Sequence, residues 1–82
     1  MYYLYILYSK FMDRYYIGHT ADPEGRLRRH NSEHKGYTGK ASDWSIVYTE
    51  AFPKKEQAHR REMQIKAWKS RRAVENLIKT SQ

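Results

Sequence analysis

Cysteine is absent from the 82 residues, which removes disulfides and thiolate metal sites together. The fold must stand on packing alone, a condition suited to a reducing compartment. Long apolar runs are missing too. The longest, Tyr2 to Tyr8, falls far short of the roughly 20 residues that span a bilayer. No basic stretch precedes it, so no signal peptide is visible, and a cytoplasmic protein is expected. Acidic residues are scarce, 9 against 16 Lys and Arg, which leaves a net charge of +7. That balance suits a polyanion, because cationic side chains displace counterions from a phosphate backbone. The chain is short enough for one domain over residues 1–82, without repeats, low-complexity tracts or linkers. A domain of that size buries only about 60% of its unfolded surface, so an open groove is expected rather than a deep pocket.

What is abundant is tyrosine, eight in all, six of them within the first 16 residues. Tyr2 to Tyr8 is aromatic and β-branched in character, and apolar on both faces, which predicts a strand covered on both sides. Turn chemistry over Ser9 to Asp13 leads to a second strand within Arg14 to Thr20, stopped by Gly18. A short connection makes the two an antiparallel hairpin. Asp22-Pro23 starts a helix, with Asp as N-cap and Pro in the first position, running to about Asn31. Gly25 in its first turn weakens it slightly. Ser32 to Asp43 is read as a loop. Trp44 to Phe52 predicts a third strand, with Ile46, Tyr48 and Phe52 on one side and Val47, Thr49 and Ala51 on the other. Pro53 opens a helix to about Trp68, and Ser70 caps another with Ala73, Val74, Leu77 and Ile78 on one face. The result is an α+β fold, a small three-stranded antiparallel sheet flanked by helices in the order β-β-α-β-α-α.

Several residues could carry chemistry. With the first turn centred near Lys10 and Phe11, Tyr5 falls opposite Tyr16, and the two phenols share a face. Taken alone, both are better explained as strand and core formers. Arg26 and His30, four apart, share a face of the short helix beside Leu27. Arg28 and Arg29 point elsewhere, as phosphate contacts or solvated charges. In the later helix Glu62 falls between Ala58, Ile65 and Trp68, so it points inward. An inward carboxylate needs a partner, either a base such as Arg61 or a divalent metal. Lys35, Lys40 and Lys66 belong to a basic rim or a solvated face. His30 and His34 are four apart, but without cysteine a structural zinc site is not expected.

Together these pieces resemble the GIY-YIG nuclease superfamily. Tyr16-Ile17-Gly18 matches the second signature, and Tyr3-Leu4-Tyr5 is a variant of the first that keeps the tyrosine but not the glycine. Arg26-Leu27-Arg28-Arg29-His30-Asn31 is similar to the family's Arg-Leu-x-x-His-Asn helix, and Arg60 to Lys66 to the helix carrying its metal-binding glutamate. The resemblance extends over nearly the whole chain. It is nearest to short stand-alone bacterial members, which resemble the catalytic domain of the excision-repair endonuclease.

The resemblance implies an endonuclease acting on DNA, with RNA as a second substrate class, dependent on Mg²⁺ or Mn²⁺. It implies Glu62 as metal ligand and Tyr5, Tyr16, Arg26 and His30 as catalytic residues. Tyr5 would be the general base, a role that needs its pKa lowered by nearby cations from the usual value of about 10. Asn76 stands where some members place a late asparagine near the phosphate. Target specificity would come from a partner protein, since so small a domain reads mostly backbone. Two other readings compete: a nucleic-acid-binding module that cuts nothing, and a protein-interaction domain using the aromatic strand faces.

Overall fold

The computed structural model describes residues 1–32 and 38–81. The expected order is present: β1 (Tyr2–Ser9), β2 (Arg14–Thr20), α1 (Pro23–Asn31), a 3-10 turn (Thr38–Lys40), β3 (Ser45–Phe52), α2 (Lys55–Ala67) and α3 (Arg71–Thr80). The three strands form one antiparallel sheet in the order β2-β1-β3, with β1 in the middle. Among the described residues no helix is long and apolar enough to cross a membrane.

The central strand is apolar on both faces because both are covered. Leu4 and Ile6 pack with Ile65 and Val74 of α2 and α3. Tyr5 and Leu7 face the other way and pack with Ala41 and Trp44, joined by Leu27 of α1. Leu4, Ile6 and Leu7 have no exposed surface. Side chains alternate along a strand, so one segment supplies both cores.

The hairpin turn sits one residue later than the sequence suggests. Ser9 pairs with Arg14, so Tyr5 faces Gly18 and Tyr16 faces Leu7. The shift preserves parity, and Tyr5 and Tyr16 still share a face as diagonal neighbours. The turn is fixed by Asp43, which accepts from Ser9 Oγ at 2.6 Å and from the Phe11 amide at 2.8 Å. Asp13 closes it in the left-handed region (φ 54), a conformation that Asp tolerates better than most residues.

The other departures are equally local. β3 carries a bulge opposite Ile6 and Leu7, so Ile6 pairs with Tyr48 but Leu7 with Ile46. One extra residue reverses side-chain parity. Ile46 therefore joins the Tyr5–Trp44 core, while Val47 packs on the Leu4–Ile6 side with Tyr48 and Phe52. Strict alternation had placed Ile46 with Tyr48. The second long helix starts at Lys55 rather than Pro53, and Trp68 is not core: it is 37% exposed under the Arg61 guanidinium. Gly25 also has a positive role. A Cβ there would lie 2.2 Å from Asp22 Oδ2, so glycine makes room for the carboxylate that accepts from the Gly25 amide and caps α1.

Candidate functional site

A groove of about 490 Å³ crosses β2, an edge strand of the sheet. Its lining includes Tyr5, Tyr16, Gly18, His19, Arg26 and Glu62. Thus the hairpin, α1 and α2 each deliver side chains that the sequence singles out. Arg26 reaches it from the first turn of α1, a helix held in place by Leu27 and by Asn31. The Asn31 amide accepts from the Trp44 amide at 2.7 Å and donates to the Trp44 carbonyl at 2.9 Å, tying α1 to the start of β3.

Behind the groove lies a buried polar chain. Tyr5 Oη is 2.9 Å from His30 Nε2, and His30 Nδ1 is 2.8 Å from Thr38 Oγ1. Tyr5, His30 and Thr38 are all buried. The Tyr16 ring packs on His30 with centroids 4.6 Å apart. Gly18 makes this packing possible. A Cβ at that position would stand 2.7 Å from Tyr5 Oη and 2.8 Å from Cζ, so the ring occupies the space a side chain would need. The Tyr5 phenol is pushed above its ordinary pKa, mainly by burial, then by Tyr16; Arg26 pulls it down and Glu62 adds to the rise. The lowered value that a resting Tyr5 base needs is not what this environment produces.

Glu62 is 8% exposed on α2. Its Oε1 is 2.5 Å from His19 Nδ1, and its Oε2 accepts from Lys66 Nζ at 2.6 Å. Burial works to raise the carboxyl pKa, but the His19 and Lys66 hydrogen bonds outweigh it and hold the group below the usual carboxylate range. Arg61, offered by the sequence as a partner, instead binds Glu50. His19 was missed as a site residue. The signal was available: on β2 it alternates with Gly18 and shares the Ile17 face, the one that α2 covers.

The other candidates lie apart. Arg28, Arg29 and Asn76 are exposed and outside the groove lining. Lys40 borders a different depression, with Asn31 and Ser32. Lys66, expected in a basic rim, sits on Glu62. Lys35 and His34 fall outside the described residues.

The donor set decides which metal this groove would suit. Among the described residues no group of three His, Cys, Asp or Glu side chains could hold an ion. Glu62 offers one ionised carboxylate beside an open groove. Mg²⁺ is commonly bound through one or two carboxylates, keeping several waters and adding substrate phosphate oxygens. Glu62, whose two oxygens meet His19 and Lys66, is the residue that could hold such a hydrated cation.

The groove across the Tyr16-Ile17-Gly18 strand of this basic chain thus brings Arg26 and Glu62 together, with His30 buried behind it. Residues 1–76 match the family model for the GIY-YIG catalytic domain, and the chain belongs to that family. It is also 41% identical over 78 residues to the UPF0213 protein BH0048 of Halalkalibacterium halodurans, covering 93% of this chain and 80% of that one. The solution NMR structure of the UPF0213 protein BH0048 from Bacillus halodurans superposes with a TM-score of 0.61 at 34% identity, covering 98% and 85% of the two chains.

Proposed function

We propose that the protein is a cytoplasmic, Mg²⁺-dependent endonuclease that hydrolyses phosphodiester bonds in DNA, with RNA as a second substrate class. The observation that carries this is the convergence of Tyr5, Tyr16, Arg26 and Glu62 on one open groove in a chain of net charge +7.

The scissile phosphate lies between Arg26 and Glu62. Arg26 is exposed at the groove, and its guanidinium fork fits two phosphate oxygens and neutralises charge that builds in the transition state. Glu62 would hold the Mg²⁺, which supplies Lewis-acid stabilisation of the phosphate and leaving oxygens. Lys66 and His19 keep that carboxylate ionised and aimed meanwhile.

Tyr5 works as a relay rather than as a resting base. With the His30 proton on Nδ1, facing Thr38, the Tyr5 hydroxyl donates to Nε2. As water attacks phosphorus, its proton passes to Tyr5 Oη while the phenol proton passes to His30. An imidazole can take a proton near neutral pH where a phenolate would not persist. Tyr16, a diagonal neighbour of Tyr5 across the β1–β2 pair and tilted against His30, orients the water or phosphate.

The test is cleavage of a panel of single-stranded, duplex, flapped and branched DNA plus RNA, with Mg²⁺, with Mn²⁺ and with EDTA. Cutting that requires the cation is the expected result; binding without cutting on every substrate would support a non-catalytic binding module instead.

A further inference from the structure

A second cavity, of about 470 Å³, opens between β2 and the junction of α2 with α3. Its volume is in the range of about 300–1,000 Å³ typical of ligand sites. The floor is apolar, formed by Ile17, Ile65 and Val74, and Tyr15 and Tyr16 border it along β2. Tyr16 lines the proposed catalytic groove as well, so the two are continuous across one residue. Lys66 also borders this cavity while its ammonium rests on Glu62.

The rim is cationic. Arg71 is already neutralised by Asp13 and Glu75, and its guanidinium covers the Tyr15 ring at 5.3 Å. Arg14 and Lys69 differ: both are exposed, and neither forms an ion pair with the described residues. Lys69 is held at φ 49 in the short link between α2 and α3, which fixes where its side chain leaves the backbone. An apolar slot beside two cations outside any of these ion pairs matches the face of a flat ring attached to a phosphate.

We propose that this cavity is a nucleobase subsite. It takes an unstacked base of the strand whose phosphate lies in the groove, and Arg14 and Lys69 hold the adjoining phosphate. The base lies on Ile17, Ile65 and Val74, beside a Tyr15 ring already covered by Tyr8 and Arg71. This rests on the nucleic-acid reading of the groove and adds to it a demand for an unpaired base next to the cut.

The experiment uses the full chain in EDTA, where binding is read without cleavage. Short single-stranded oligodeoxynucleotides carry one abasic residue, or one 5-iodouracil for photocrosslinking, at each position in turn. Removing the base at one position is expected to weaken binding about tenfold, from the loss of its contact with the apolar floor. Iodouracil at that position is expected to crosslink within Tyr15–Ile17 or Ser70–Val74. The surface variant Arg14→Glu/Lys69→Glu is expected to lower both the affinity and the crosslink yield. Equal affinity for intact and abasic strands, or crosslinks confined to other segments, would overturn the subsite and leave the groove reading intact. Failure to bind any oligonucleotide would overturn both. Burial of this face in a concentration-dependent dimer, with no change in crosslinking, would mark it as a contact between copies and also overturn the subsite.

Discussion

Gly18→Ala places one methyl group where the Tyr5 ring already lies. The added carbon would sit 2.7 Å from Oη, 2.8 Å from Cζ and 3.0 Å from Cε1. Ordinary carbon contacts are about 3.5–4.0 Å, so several atoms are short by roughly half an ångström or more. Neither side yields easily. Tyr5 is 2% exposed and anchored to His30 at 2.9 Å, and Gly18 is paired to Tyr5 within the ladder. Overpacking of this kind costs about 1–3 kcal/mol. For a domain this small, 2 kcal/mol corresponds to a melting temperature lower by roughly 8–16 °C. Thermal and urea unfolding of Gly18→Ala, Tyr5→Ala and the double variant measure it. Because Tyr5→Ala removes the clashing ring, the double variant should lose less than the sum of the singles by about the clash energy. A Gly18→Ala change within about 0.5 kcal/mol of wild type, or strictly additive effects, would refute the packing account of the Tyr16-Ile17-Gly18 segment.

Three further outcomes follow from the same contacts. Tyr5→Phe should fold, at a cost of about 1 kcal/mol, and lower single-turnover cleavage by about 10²–10³; unchanged cleavage would remove the relay through His30. Lys66→Met removes a group that keeps Glu62 ionised and aimed, so the metal-free protein should melt lower and calorimetry should show weaker Mn²⁺ binding; unchanged or tighter Mn²⁺ binding would contradict that role. The folded Glu62 carboxyl lies below its unfolded value, so the folded state binds fewer protons there. That contribution is complete above the unfolded value of about 4.3 and is lost as pH falls through the lower folded value. Wild type should therefore lose more stability than Glu62→Gln between neutral pH and pH 3, and parallel losses would exclude Glu62 from acid unfolding.

The layout was legible because its signals are local and strong. The apolar Tyr2–Tyr8 run, the Asp22-Pro23 start and the Ser70 cap each fix an element through neighbouring residues. The site was legible in part. Tyr5, Tyr16, Arg26 and Glu62 do meet, because strand parity and helical spacing survive small boundary errors. What was not legible depends on contacts between elements. The bulge that sends Ile46 and Tyr48 to opposite faces has no composition signature, and the hairpin centre is set by Asp43, 30 or more residues from the turn it clamps. Thr38 acquires its role only when the 3-10 turn packs beside His30. The raised Tyr5 pKa comes from burial, which alternation alone does not measure in a strand covered on both faces.

The most direct test of the central claim is single-turnover cleavage by wild type and Glu62→Gln at saturating enzyme, with oligonucleotide affinity measured in parallel in EDTA. The account predicts cation-dependent cutting by wild type, a loss of at least about 10³ in the variant, and similar affinity in both. Wild-type cutting that persists in EDTA, or a Glu62→Gln protein that cuts as fast as wild type, would contradict it.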